Sequence, residues 1–197
     1  GAFICGGAVQ WLRDGLGIIK ESAEIEALAE SVTSAEGVEL VPAFVGLGAP
    51  YWNADARGMI CGLTRGSTKG HIARATLDAM ALQNVDILLA MQRDLEKKLK
   101  CLKVDGGASS NNLLMQLQAD YLGVQIERPR QIESTVLGAG FLAGLGVGFW
   151  KDVLDLSKIA QIDRIFESKM TAADRKKRLS NWQTAVNRAL QKDGKSE

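Results

Sequence analysis

This 197-residue sequence predicts an α/β layer fold with a partly parallel sheet, followed by a helical C-terminal segment. Three observations lead there. Short apolar runs alternate with stretches of helical periodicity through the middle of the chain. Residues 71–100 contain neither Gly nor Pro, and their apolar positions spread well beyond one helix face. After Trp150 the composition turns polar, and Leu179, Trp182, Val186 and Leu190 form a helical stripe.

The elements follow in order. Residues 2–5 look like the end of a strand, and Gly6-Gly7 turns it into a helix over 8–16, with Val9, Leu12 and Leu16 on one side. A second helix spans 22–32, with Ser22 placed to cap it and Glu24 and Glu26 near its positive end. Residues 38–44 and 58–63 are strand-like, and the loop between them gathers Gly46, Gly48, Pro50, Tyr51, Trp52 and Asn53. One long buried helix covers 71–96, with Asp86 on the same face as Ile72, Ala75, Ala79, Leu82 and Leu89. Strand 101–105, helix 111–122, strand 124–128 ended by Pro129, and helix 135–146 come next. Residues 151–197 are expected to be all helical, and Thr171-Ala172-Ala173-Asp174 has the layout of a capping box.

Composition narrows the function classes. Hydrophobic content of 46% and charged content of 24% belong to a globular protein with a substantial core. A net charge of +1 gives no electrostatic footprint for nucleic acid or an anionic membrane. Cys5, Cys61 and Cys101 are odd in number and far apart, which matches neither a disulfide framework nor a zinc pattern and fits a reducing cytoplasm. No apolar run reaches the ~18 residues that span a bilayer. The opening Gly1-Ala2-Phe3 has neither an initiating Met nor a basic leader, as expected of a piece of a longer protein.

The stretch richest in chemical meaning is Val104-Asp105-Gly106-Gly107-Ala108-Ser109-Ser110-Asn111-Asn112. It joins a buried strand to a helix, with Asn111 or Ser110 placed as the cap. Glycines at such a turn let a flat ligand approach the backbone, and the helix start offers free N–H groups that suit a nucleotide. A Gly-Gly turn alone is also compatible with an ordinary strand-to-helix connection. Other candidates have plainer readings. His71 starts a helix and suits a cap; Tyr51 and Trp52 suit packing in a rigid loop. Arg175-Lys176-Lys177-Arg178 suits one solvated helix face. Ser109 and Ser110 have no His or Asp placed in sequence to activate them. Gly138, Gly140, Gly144, Gly146 and Gly148 fall at helical spacing in an apolar segment, which points to close helix–sheet packing rather than a phosphate loop.

Four segments carry a resemblance. They are Gly58-Met59-Ile60-Cys61-Gly62-Leu63 with His71-Ile72-Ala73-Arg74-Ala75-Thr76-Leu77-Asp78; the loop from Pro42 through Gly46-Leu47-Gly48-Ala49-Pro50-Tyr51-Trp52; the turn Val104 to Asn112; and Thr135-Val136-Leu137-Gly138-Ala139-Gly140-Phe141-Leu142-Ala143-Gly144-Leu145. Together they resemble the C-terminal half of the FGGY family of carbohydrate kinases, and the second segment resembles its glycerol-phosphorylating members. The resemblance implies a ribonuclease-H-like domain of the actin/hexokinase/Hsp70 ATPase type, incomplete at its N-terminus. It implies a division into residues 1–150, part of the ATP-binding domain, and 151–197, a helical extension of the same domain. It further implies ATP as substrate with Mg²⁺, transfer of the γ-phosphoryl to glycerol, and nucleotide contacts at Gly6, Gln10, Gly107 and Asn111. In such kinases the catalytic Asp, the glycerol pocket and a Gly-Thr-Gly phosphate turn precede the position of Gly1, so no catalytic residue and no metal ligand is expected here. A cytoplasmic, homo-oligomeric full-length protein is the expected setting. Two other readings compete: a xylulose or gluconate kinase of the same family, and a non-catalytic oligomerisation or regulatory module derived from the fold.

Overall fold

The helical run from residue 71 is the axis on which the rest of the chain packs. The computed structural model describes residues 4–157 and 161–190. Its longest helix, α3, is Lys69–Leu95, preceded by Thr68 in an extended conformation. The Thr68 N–H donates to His71 Nδ1 at 3.0 Å, so His71 does cap the helix, and its Nε2 lies 3.6 Å from Glu36. Glu96 ends the helix in the left-handed region. Ala73, Ala75, Ala79 and Ala81 are buried along it, and these short side chains let neighbouring elements come close.

Around α3 lie α1 (Gly6–Asp14), α2 (Glu24–Glu30) and α4 (Asn112–Leu122), the last ended by Gly123 at φ +73. Strands β1 (Glu39–Val41) and β2 (Met59–Cys61) form an antiparallel pair, with β1 against α3. A second sheet runs β3 (Cys101–Lys103), β4 (Gln125–Pro129) and β5 (Ile162–Phe166), parallel between β3 and β4 and antiparallel between β4 and β5. The partly parallel sheet is therefore present. The remaining helices are α5 (Ser134–Gly146), α6 (Val153–Ser157) and α7 (Ala172–Leu190).

Several expectations need correction. The segment 151–197 is not all helical, because 162–166 is a strand. Its charged residues hide the strand pattern locally, and only the open edge of β4 selects the extended form. The segment also contributes to the core: Trp182, Ala185 and Val186 of α7 are buried in it. The Thr171–Asp174 cap does form, with the Asp174 N–H donating to the Thr171 hydroxyl at 3.1 Å. Ser22 caps nothing: Ala23 precedes α2, without a side-chain cap. Leu16 is 46% exposed, because α1 stops before Gly15. The strand expected at 2–5 lies partly outside the described residues, as do positions 158–160 and 191–197 of the expected helical segment.

Among the described residues, no sheet packs on the α5 glycines. A Cβ built on Gly138, Gly140 or Gly146, or on Gly148 just beyond the helix, meets nothing within 4 Å, and only Gly144 is crowded, by Trp150. α5 contains no buried residue. The loop aromatics also divide. Tyr51 donates to Asp86 at 2.7 Å, whereas Trp52 is 73% exposed and packs in no core.

Arg175 and Arg178 are not a solvated pair. Arg175 donates to the Asp120 carbonyl oxygen at 2.8 Å. Arg178 holds Glu39 at 2.7 and 3.0 Å and lies 3.6 Å from Asp78, whose other carboxylate oxygen accepts from the Tyr121 hydroxyl at 2.8 Å. Burial pushes the Glu39 carboxyl up while Arg178 pulls it back. Asp86 accepts from Tyr51 and from Trp182 Nε1 at 2.6 Å; burial raises its pKa against both hydrogen bonds. These two clasps tie α7, β1 and the 47–53 loop to α3.

Candidate functional site

Helices α1, α2, α3 and α4 and the turn before α4 enclose a cavity of about 450 Å³, within the usual size of a small-molecule site. Val9, Ile25, Leu77, Met80 and Leu114 supply its apolar walls. Gln10, Ser22, Glu26, Ser110 and Asn111 supply polar groups, and Gly6 and Gly107 complete the lining. The structure thus brings together all four positions singled out from the sequence, Gly6, Gln10, Gly107 and Asn111, which lie up to 105 positions apart in the chain (111 − 6).

Each position has a local cause. The turn Gly107–Ser110 is a short 3₁₀ helix entered by Gly106 at φ +79, a conformation that L side chains rarely adopt. Gly106 therefore serves the backbone. Gly107 serves space: a Cβ there meets nothing within 4 Å. The same holds for Gly6. Asn111 is the N-cap of α4, and its Oδ1 accepts from the Leu114 N–H at 2.7 Å. Its amide nitrogen is the group left to face a ligand. Ser110 is not the cap, because its hydroxyl donates to the Gly107 carbonyl oxygen at 2.7 Å. The Ser109 hydroxyl is likewise spent on Gly106.

One expectation fails at this site. The start of α4 does not offer a free pair of N–H groups. The Leu113 N–H donates to Glu26 Oε1 at 3.0 Å, and the Leu114 N–H is taken by Asn111. A carboxylate already occupies the positive end of this helix, so an anionic phosphate is repelled there. The lining contains no Lys or Arg. This end of the cavity suits an uncharged, flat, partly apolar ligand portion such as a nucleoside.

Sequence reasoning missed Glu26 as a lining group and had no means to place Leu77 and Met80. Glu26 was legible only as an acid in the first turn of a helix, and its reach across to α4 is a tertiary contact. It also missed Arg128 on β4, which donates to the Ser109 and Ser110 carbonyl oxygens at 3.0 and 3.2 Å. Among the described residues, no group of three or more His, Cys, Asp or Glu could hold a metal ion, and no helix is long and apolar enough to cross a membrane.

Comparison with known proteins adds an independent line. Residues 1–147 match the family described as the C-terminal domain of the FGGY family of carbohydrate kinases. A glycerol kinase from Bdellovibrio bacteriovorus is 61% identical over 188 residues, covering 95% of this chain and 38% of that protein. The crystal structure of Plasmodium falciparum glycerol kinase with ADP superposes with a TM-score of 0.86 at 37% identity, over 95% of this chain and 37% of that one. The gluconate kinase of Lactobacillus acidophilus superposes at 0.79 with 25% identity, over 98% and 39%. The chain thus spans about 38% of the length of the curated relatives it matches, and its mixed α/β structure matches an actin-like ATPase fold.

Proposed function

The chain belongs to the FGGY family of carbohydrate kinases, and we propose that it is the nucleotide-binding part of an ATP-dependent glycerol kinase. Such a phosphotransferase moves the γ-phosphoryl group of ATP to the 3-hydroxyl of glycerol. The observation that carries this reading is the convergence of Gly6, Gln10, Gly107 and Asn111 on one apolar-walled cavity. The 61% identity to a glycerol kinase, against 25% to a gluconate kinase of the same architecture, favours glycerol over the other sugar substrates.

The residues have separable tasks. Gly6 and Gly107 leave open space, so that the nucleoside lies against the backbone. Gln10 and the Asn111 amide nitrogen hydrogen-bond it. Glu26 repels the phosphate chain from α4 and directs it out of the cavity. Phosphoryl transfer needs in-line positioning and neutralised oxygens. The cavity lining holds no cation to neutralise them, and no catalytic base is assigned to this chain. Mg²⁺ would travel with the ATP phosphates, whose oxygens supply ligands to it. The chain alone is therefore expected to bind nucleotide without phosphorylating glycerol. Glycerol would be held by the part of a full-length kinase that this chain does not span, in a cytoplasmic homo-oligomer.

Calorimetric titration with ADP tests the reading. Gly107→Val puts a branched side chain into the cavity without meeting any protein atom within 4 Å at Cβ. The variant is expected to fold by circular dichroism and to lose ADP binding. Asn111→Ala is expected to weaken binding roughly 2- to 12-fold, the loss of one hydrogen bond of about 0.5–1.5 kcal/mol. It also removes the α4 cap, about 1 kcal/mol of stability, which a parallel melt separates. Unchanged ADP affinity in both folded variants would refute the assignment, and glycerol phosphorylation by the purified 197-residue chain would refute the division of labour.

A further inference from the structure

In the antiparallel ladder of β4 and β5, Arg128 stands directly opposite Arg164. Like charges in that relation repel, and nothing in the strand pairing itself requires two arginines there. Their donors account for them. Arg128 Nη1 reaches the carbonyl oxygens of Ser109 and Ser110 at 3.0 and 3.2 Å and Asn112 Oδ1 at 3.1 Å. Arg164 Nη1 reaches the same Asn112 oxygen at 3.2 Å. Asp163 Oδ2 accepts from Arg128 Nε and Nη2 at 2.9 and 2.7 Å, which offsets the repulsion. Both guanidinium carbons lie over the ring of buried Phe166, at 5.3 and 4.7 Å from its centroid. The acceptors are the last two carbonyls of the Gly107–Ser110 turn and the first side chain of α4, the segment that lines the cavity from this side.

We propose that Arg128, braced by Asp163 and Arg164 of β5, is the positioning residue that holds the Gly107–Asn112 turn in nucleotide-binding shape. The inference rests on the nucleotide reading above. Its consequence is that residues 162–166 set nucleotide affinity without lining the cavity. A planar guanidinium shares its two Nη1 N–H donors among three turn acceptors while Nε and Nη2 hold one carboxylate; an ammonium on a flexible stem cannot.

The test measures two quantities on the 197-residue chain: ADP affinity by calorimetry, and amide hydrogen exchange across residues 107–112. Arg128→Met is expected to speed exchange there and to weaken ADP binding by roughly tenfold or more, the effect of about one charge-assisted hydrogen bond or more. Arg128→Lys should recover part of that loss, and Arg164→Met should show a smaller loss of the same kind. Arg178→Met serves as the control, because it destabilises the fold away from the turn and should leave ADP affinity unchanged. If Arg128→Met only lowers stability while the folded protein binds ADP as before, the proposal is overturned. Unchanged exchange at the turn overturns it as well. If the unmodified chain binds no ADP, the nucleotide reading fails instead, and the exchange data alone decide whether Arg128 holds the turn.

Discussion

Helices α3 and α5 invert the simplest expectation about buried helices. α3 carries His71, Arg74, Asp78, Gln83 and Asp86, yet most of its middle is buried. α5 runs Ser-Thr-Val-Leu-Gly-Ala-Gly-Phe-Leu-Ala-Gly-Leu-Gly, almost without polar side chains, yet none of its residues is buried, and Val136 and Leu142 are 71% and 72% exposed. Apolar composition therefore does not locate the core. Opposing elements do: α3 has α2, α4, α7 and β1 around it. Its two inner carboxylates are tolerated because both meet partners, Asp78 with Arg74, Arg178 and Tyr121, and Asp86 with Tyr51 and Trp182.

The largest break in that contrast comes from removing a partner rather than a core side chain. Arg178→Met leaves the Glu39 carboxylate, 12% exposed, without its cation, and Asp78, 5% exposed, with Arg74 alone. It is expected to cost about 3–5 kcal/mol in urea unfolding. A cost below about 1 kcal/mol would mean that the clasp is solvated. Next comes a matched pair of truncations. Leu82→Ala on α3, where Leu82 is 0% exposed, is expected to cost about 2–5 kcal/mol, whereas Leu142→Ala on α5 should stay within about 0.5 kcal/mol. Equal costs in the same denaturation series would erase the contrast between the helices. The smallest effect has the opposite sign. Gly138→Ala fills open space in a helix interior and should stabilise by about 0.5–1 kcal/mol, read as a raised melting temperature. A loss of stability instead would show that something covers α5 at Gly138.

Much of the site was legible because it depends on local chemistry. Asn111 is an N-cap by its position before an apolar helical stripe, and the structure uses it as one. His71 caps α3 for a similarly local reason. Glu26 and Arg128 were illegible because their partners are distant in sequence: Leu113 lies 87 positions from Glu26, and Ser109 lies 19 from Arg128. Neither spacing leaves a periodic trace.

The sequence by itself determined the α/β class, the extent of α3 and α4 to within about two residues, a cap at either Asn111 or Ser110, and the open glycine at the turn. Those features follow from periodicity, from the absence of Gly and Pro, and from side chains that bond their own backbone nearby. Tertiary structure alone decided that 162–166 is a strand, that Arg178 is a clasp and not a surface charge, that α5 stays exposed, and that Glu26 fills the start of α4. In each case the outcome depends on which surface or counter-charge lies opposite, and that is set by long-range packing.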